Sequence, residues 1–110
     1  MSKVEPSMLV FGIDGAGWTL IQGGVHQGLM PRLAAFISHC SVHAPLRTNW
    51  PPHTASGWTS MFSGLLPGEH GHFQFWDCQD PNYGLTITER TDAQCEMIWD
   101  RLVAAGRRVG

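Results

Sequence analysis

Residues 8–15 read MLVFGIDG, and this stretch decides the fold class that the sequence predicts. Residues 8–13 form a short, unbroken apolar run, which is typical of a β-strand that is buried on both faces. Asp14 and Gly15 follow at once, and this pair favours a turn. We therefore predict a first strand over residues 8–13, with the carboxylate of Asp14 at its carboxyl end.

Helical and extended patterns alternate along the rest of the chain. Pro31 is tolerated in a first helical turn, and Leu33, Ala34 and Ile37 recur at helical spacing. Residues 18–27 are ambiguous, because two adjacent glycines weaken any helix there. The patterns predict a helix at 31–38, a strand at 40–46, a proline-containing loop at 48–53, a helix at 54–62, a turn-rich loop at 66–71 and a β-prone stretch at 83–89.

The helical pattern near the carboxyl end is the clearest in the sequence. Thr91 and Gln94 have the spacing of a capping box, which predicts the start of a helix at that point. Gly106 is a suitable residue for ending this helix. Its apolar face is expected to comprise Cys95, Ile98, Trp99, Leu102 and Val103.

This order of strands and helices predicts an α/β protein with a mainly parallel sheet, arranged as an α/β/α sandwich. Residues 1–7 are expected to form an N-terminal tail. Residues 8–110 are then the N-terminal portion of a single domain, because the predicted elements alone would leave an open sheet edge and uncovered apolar surface. We expect that domain to be incomplete at the carboxyl end, where the alternation requires another strand.

Composition favours a folded, globular protein and argues against polyanion and membrane partners. The chain has 110 residues, of which 43% are hydrophobic, and this fraction is enough for a packed core. A net charge of −2 without any run of Lys or Arg argues against a nucleic-acid polymer as partner. The apolar run at 8–13 is too short to span a membrane, so no membrane partner is expected.

The three cysteines are odd in number and unevenly spaced. This pattern argues against a disulfide framework and favours reduced thiols in the cytoplasm. Cys40 and His43 are separated by two residues, as some zinc ligands are. Without a second such pair, buried or incidental residues are the better interpretation.

No Asp or Glu occurs between Asp14 and Glu69. A stretch without carboxylates would suit an anionic substrate. A buried segment of helix and sheet that simply carries few charges accounts for the pattern equally well, and both interpretations stay open.

Asp14 and Thr54 carry the predicted chemistry. The GAG at 15–17 is not a dinucleotide-binding fingerprint, because Leu20 holds the third glycine position and no acidic residue follows at the required distance. Asp14 instead ends a predicted strand, where open α/β sheets place their ligand sites. Thr54 begins a predicted helix, where unpaired N–H groups and the helix dipole favour an alkoxide and a phosphate. We predict that Asp14 is a metal ligand and Thr54 a nucleophile.

Three strings resemble the type I phosphodiesterase and nucleotide pyrophosphatase family of the alkaline phosphatase superfamily. They are FGIDG at 11–15, MPRLAAFI at 30–37 and, most specifically, PPHTASGWTSMFSGLLPGEHGHFQF at 51–75. In that family a nucleophilic Thr is followed at fixed offsets by an aromatic residue, a Thr-Gly pair, a Pro and a His-Gly pair. The matching residues here are Thr54, Trp58, Ser63-Gly64, Pro67 and His70-Gly71.

The resemblance covers nearly the whole chain and implies an alkaline-phosphatase-like catalytic domain. It implies a metal-dependent hydrolase of small phosphate esters, with phosphodiester or pyrophosphate bonds as its targets. Two divalent metal ions, usually zinc in that family, would be bound with Asp14 as one ligand and Thr54 as both ligand and nucleophile. In-line attack would form a covalent phosphothreonine. The other ligands are expected in later segments, so the 110-residue chain is expected to be inactive alone.

Two departures from the family pattern leave other functions open. Ser63 stands where the family has Thr, and Gln74, Phe75 and Trp76 stand where nucleotide pyrophosphatases have a phosphate-contacting Asn. A phosphomonoesterase, a sulfatase or a phosphomutase would share the same core chemistry. A non-catalytic fragment or binding module is the alternative from another class, because one carboxylate and one hydroxyl cannot hold two metal ions.

Overall fold

The computed structural model describes residues 8–77 and 84–110. The chain divides into two compact units, Met1–Leu46 and Arg47–Gly110. The predicted tail at 1–7 lies outside the described residues, as does the first residue of the β-prone stretch at 83–89.

The first unit contains two helices, α1 (Trp18–His26) and α2 (Pro31–His39). The ambiguous stretch at 18–27 is therefore largely helical. Gly24 is suited to its place in α1, because a Cβ there would stand 2.9 Å from the Sδ atom of Met30. The helix predicted at 31–38 is confirmed and extends by one further residue.

The two strands predicted in the first unit, at 8–13 and 40–46, are absent from the described residues. Leu9 is 84% exposed and Phe11 is 80% exposed, so the first of these segments is not buried either. An extended segment becomes a strand only when its backbone N–H and C=O groups pair with a neighbour. No described residue provides that neighbour, and the prediction of a buried strand at 8–13 is wrong for this structure.

The first helix of the second unit agrees with the sequence prediction for residues 54–62. This helix, α3, spans Thr54–Ser63 and ends at Gly64, which has a positive φ of 77°. The elements that follow are α4 (Pro67–His70), β1 (Trp76–Asp77), β2 (Thr86–Ile87), a 3₁₀ turn (Arg90–Asp92) and α5 (Ile98–Ala104).

The strands of the second unit form a small antiparallel sheet. Trp76 pairs with Ile87, and Asp77 pairs with Thr86. The described fold is thus a set of helices with one two-stranded antiparallel sheet, which agrees with a mixed α and β class in its coarse form. A mainly parallel sheet and an α/β/α sandwich stay predictions.

The start of the last helix differs from the sequence prediction. Thr91 lies in the 3₁₀ turn, and α5 begins only at Ile98. The backbone N–H of Gln94 donates to the carbonyl of His70 at 3.0 Å, a tertiary bond that takes the chain away from a helical path here. Asp100 provides the capping carboxylate instead, since its Oδ2 accepts from the N–H of Met97 at 2.8 Å.

The end of α5 is as the sequence predicts. Gly106 adopts a φ of 72°, and its N–H donates to the carbonyl of Val103 at 2.9 Å. The N–H of Arg107 donates to the carbonyl of Leu102 at 2.9 Å. These two bonds satisfy carbonyls that would otherwise be unpaired at the helix end, and they make a Schellman cap.

The buried residues of the described chain lie in the second unit. Phe62 connects two helices there, because its ring lies 5.7 Å from that of Trp58 on α3 and 5.0 Å from that of Trp99 on α5. None of the helices formed by the described residues is both long and apolar enough to cross a lipid bilayer. The buried side chains are Ala55, Ser56, Thr59, Ser63, Pro67, His70, Ala93 and Met97.

Replacing Gly106 by Ala is expected to lower the free energy of unfolding by about 1 kcal/mol, because an L-residue pays roughly this much for the left-handed conformation. Urea unfolding followed by circular dichroism would measure the change. Gly68→Ala is the control, since Gly68 lies in α4 without a positive φ and has open space where a Cβ would stand. An equal loss in both variants would contradict this account of the cap.

Candidate active site

Thr54 is the first residue of α3, and its side chain is exposed. Helix α3 carries five hydroxyl side chains among its ten residues, all of which are described. The other four are buried or half-buried, and each of them has a hydrogen bond: Ser56, Thr59, Ser60 and Ser63. Thr54 is therefore the one hydroxyl of α3 that a substrate in solvent could reach.

Ser56 shows what the buried hydroxyls do. Its Oγ lies 3.3 Å from the carbonyl oxygen of Pro51 and 3.2 Å from that of His53, and it donates to this pair. Ser56 is completely buried. The hydroxyl thus fixes the loop that leads into α3, and it is not available for chemistry.

His53 caps the amino end of α3. Its Nδ1 accepts a hydrogen bond from the backbone N–H of Ala55 at 3.3 Å. The imidazole also packs edge to face against the ring of Phe75, with 5.0 Å between the ring centroids and an interplanar angle of 64°. The residue before Thr54 is therefore held both by the helix and by the segment that precedes β1.

A buried polar network fixes α3 from its inner side. Asn49 donates from Nδ2 to the carbonyl of Ser56 at 3.2 Å and to Oγ of Ser60 at 2.8 Å. Ser60 Oγ also lies 3.0 Å from Nε2 of His70. Nδ1 of His70 accepts from the backbone N–H of His72 at 3.0 Å, so its ring proton lies on Nε2 and points at Ser60.

His70 is fully buried, and its pKa is lowered. Burial is the largest cause and lowers the pKa of His70 below its ordinary value of 6.5. The nearby His72 lowers this pKa further, whereas the carboxylate of Glu69 acts in the opposite direction. The neutral form that results is the form that can accept from the N–H of His72.

His72 bridges α3 to the segment that follows β2. Its Nδ1 lies 2.9 Å from Oγ1 of Thr59, and its Nε2 lies 3.1 Å from Oγ1 of Thr88. Oγ1 of Thr59 also lies 2.8 Å from the carbonyl oxygen of Ala55, and Oγ1 of Thr88 lies 2.6 Å from that of Gln74. Two separate parts of the second unit are thus joined through one imidazole.

The sequence interpretation missed this network. It placed His70 and Gly71 in a turn-rich loop and matched them to the family pattern without assigning His70 a partner, although His70 is fully buried and bonds to Ser60 on α3. A buried histidine beside a left-handed Gly71 gives no distinctive pattern in one sequence. Its partner Ser60 lies 10 positions earlier, and Asn49, which donates to Ser60, lies 11 positions before that residue, so only folding brings the three together.

Asp14 belongs to the first unit, whereas Thr54 belongs to the second. The Asp14 side chain is exposed, and its Oδ1 accepts from the backbone N–H of Gly15 at 3.0 Å. Gly15 has a φ of 71°, so the pair forms the turn that the sequence predicts. The part of the chain that the structure describes contains no group of three or more His, Cys, Asp or Glu residues that could hold a metal ion. These residues by themselves therefore do not fit one.

Comparison with known families identifies the chain. A family model described as type I phosphodiesterase / nucleotide pyrophosphatase matches residues 8–110. The match places the chain among phosphodiesterase- and pyrophosphatase-type hydrolases. The chain belongs to the type I phosphodiesterase / nucleotide pyrophosphatase family, as the sequence resemblance indicates. Searches of curated proteins and of solved structures gave no significant match.

The lowered pKa of His70 predicts that stability depends on pH. The folded state binds this proton less readily than the unfolded state, so the stabilisation is fully present above about pH 6.5 and is lost as the pH falls through the folded pKa. Urea midpoints at pH 7.5 and pH 5.5 would measure the loss. His70→Gln keeps a donor for Ser60 and is expected to show a smaller difference.

The exposed His26 provides the matched control for this measurement. His26→Gln is expected to keep the wild-type difference between the two midpoints. If His70→Gln also keeps the full difference between the urea midpoints at pH 7.5 and pH 5.5, the buried imidazole of His70 does not cause the pH dependence.

The His72 bridge predicts that His72 and Thr88 are energetically coupled. In a double-mutant cycle with His72→Ala and Thr88→Val, the coupling free energy is expected to be about 0.5–1.5 kcal/mol, the usual range for such a hydrogen bond. Urea unfolding of the wild type, the two single variants and the double variant gives this quantity. If the loss of unfolding free energy in the double variant equals the sum of the losses in the two single variants, the hydrogen bond between His72 and Thr88 does not stabilise the fold.

Proposed function

We propose that the protein is a metal-dependent hydrolase of small phosphate esters, acting on phosphodiester or pyrophosphate bonds with Thr54 as nucleophile. Membership of a family with this chemistry supports the proposal. The observation that carries it for this chain is the position of Thr54, the one exposed hydroxyl of α3. The remaining hydroxyls of that helix are engaged in internal hydrogen bonds.

The surroundings of Thr54 suit a negatively charged substrate. Helix α3 spans ten residues and has no acidic residue in its first turn. Its N-terminal backbone N–H groups and dipole favour an approaching phosphate and the negative charge that develops on the Thr54 oxygen. The chain also has no carboxylate between Asp14 and Glu69. Electrostatic repulsion of an anionic ester is therefore low along this part of the sequence.

The proposed reaction proceeds in two displacements at phosphorus. Oγ of Thr54 forms a bond to phosphorus as the bond to the leaving oxygen breaks, and that oxygen departs with the bonding electron pair. The hydroxyl proton of Thr54 is released, and the leaving group takes up a proton. Water then attacks the phosphothreonine, restoring the hydroxyl and releasing the phosphoryl product.

The proposed cofactors are two divalent metal ions, with zinc the expected element from the family resemblance. Asp14 and Thr54 are the proposed ligands from this chain, and both offer the oxygen donors that such ions accept. Two donors do not complete one four-coordinate site. The other ligands are therefore proposed to come from residues outside the described ranges.

The proposed complete fold is an α/β/α sandwich with a mainly parallel sheet, of which residues 8–110 form the N-terminal portion. The exposed apolar segments at 8–13 and 40–46 support this proposal. Phe11, Val42 and Leu46 are each at least 80% exposed. Paired with further strands, these segments would become buried and would place Asp14 at the end of a strand.

Two observations favour other candidate functions. Gln74, Phe75 and Trp76 stand where, by the family resemblance, nucleotide pyrophosphatases have a phosphate-contacting Asn, and this leaves a phosphomonoesterase, sulfatase or phosphomutase as the substrate-level alternative. The lack of a metal-ligand group among the described residues favours a non-catalytic binding module. Paired assays with bis(p-nitrophenyl) phosphate and p-nitrophenyl phosphate, with and without added Zn²⁺, separate these functions.

In the protein that carries the full set of metal ligands, Thr54→Ala is expected to lower kcat/KM for bis(p-nitrophenyl) phosphate by on the order of 10³-fold or more, because the variant lacks the attacking oxygen. Ser56→Ala is the matched control two residues away. It removes a buried structural hydroxyl and is expected to reduce stability while turnover persists. Wild-type activity in Thr54→Ala would eliminate Thr54 as the nucleophile.

A further inference from the structure

We propose that His53 is a substrate-contacting residue, whose Nε2–H donates a hydrogen bond to a phosphoryl oxygen of the ester bound at Thr54. This inference rests on the proposed function of Thr54 and adds a second side chain to that site. It concerns the histidine that directly precedes the nucleophile, a residue that the sequence interpretation did not select.

The ring proton of His53 has a defined position. Nδ1 of His53 accepts from the backbone N–H of Ala55 at 3.3 Å, so its lone pair is directed at the helix. In the tautomer that accepts at Nδ1, the proton lies on Nε2. The helix cap thus fixes which nitrogen of His53 is a donor.

The Nε2–H donor of His53 has a defined direction as well. Nδ1 and Nε2 lie on different edges of the imidazole, so a ring that faces α3 with Nδ1 presents Nε2–H away from the helix. The edge-to-face contact with Phe75, at 5.0 Å and 64°, restricts rotation of the ring. Among residues 8–77 and 84–110, no group accepts a hydrogen bond from His53 Nε2. Within these two ranges, the donor is therefore available to a ligand.

A donor at this position would stabilise the phosphoryl group during the reaction. The hydrogen bond from the N–H of Ala55 to Nδ1 holds the imidazole of His53 at the amino end of α3, the end where the phosphoryl group must approach the Thr54 oxygen. The non-bridging oxygens of that group carry negative charge throughout the displacement. A donor that is already oriented stabilises this charge without a cost of reorganisation. Neither of the two displacements requires His53 to lose its proton.

His53 could instead serve only as a helix cap, and two substitutions separate the roles. His53→Asn keeps a side-chain acceptor near the backbone, as Nδ1 is, but lacks a donor at the position of Nε2. His53→Gln carries an amide donor near that position but lacks the close acceptor. The first variant therefore preserves the cap, and the second preserves the proposed contact.

The experiment measures three quantities for the wild type and both variants. They are kcat/KM for bis(p-nitrophenyl) phosphate, the dissociation constant for inorganic phosphate by calorimetry, and the midpoint of thermal unfolding. His53→Asn is expected to lower kcat/KM by about 10²-fold, the usual effect of removing one oriented donor. It is expected to weaken phosphate binding and to leave the unfolding midpoint close to that of the wild type.

His53→Gln is expected to recover at least tenfold of the lost kcat/KM and part of the phosphate affinity, although its unfolding midpoint falls. The reverse ranking, with His53→Asn active and His53→Gln impaired, would overturn the proposal and leave His53 as a cap. Wild-type kinetics and phosphate affinity in both variants would overturn it as well.

The phosphate measurement distinguishes failure of this inference from failure of the proposed function. Thr54→Ala is assayed in parallel, and its retained turnover would reject the nucleophile alone. If the wild type hydrolyses neither ester, the contact is still judged from phosphate binding. Weaker binding in His53→Asn than in His53→Gln then supports it, and equal binding rejects it.

Discussion

The inner face of α3 is polar, and its buried hydroxyls must be hydrogen-bonded where water cannot reach them. Ser56 bonds to the loop before the helix, and Ser60 bonds to Asn49 and His70. All of these bonds can form together only when α3 has one particular orientation about its own axis. In that orientation Thr54 is left on the exposed side. The accessibility of the candidate nucleophile is thus a consequence of the bonding demands of the other hydroxyls on the same helix.

The two histidines that contact this face have different tasks. His70 is buried and neutral, and its Nε2–H donates a hydrogen bond to Oγ of Ser60. His72 connects Thr59 on α3 with Thr88 beyond β2, so the short sheet is bonded to the helix. Histidine is the commonest metal ligand among side chains, so two histidines this close invite comparison with a metal site. Here the ring nitrogens of both residues are already engaged with protein groups, which makes a structural role the better account of the pair.

Patterns among neighbouring residues correctly predicted those helices and caps that depend mainly on interactions between neighbouring residues. The helix α2, the helix α3 and the Gly106 cap follow from apolar spacing, a first-turn proline and a glycine at a helix end. The prediction failed where a tertiary contact competed. The bond from Gln94 to His70 displaced the start of α5 to Ile98. The strand at 8–13 failed for a related reason, because a strand depends on a neighbour that its own sequence does not encode.

The sequence by itself determined the family of this protein and its candidate nucleophile, because the spacing from Thr54 through His70 and Gly71 is written in consecutive residues. Tertiary structure decided the rest of the site. It decided that Thr54 is exposed while Ser56 is buried, and that His53 caps the helix while its ring packs against Phe75. Burial and hydrogen-bond partners depend on residues distant in the chain, and only the folded backbone brings those residues together.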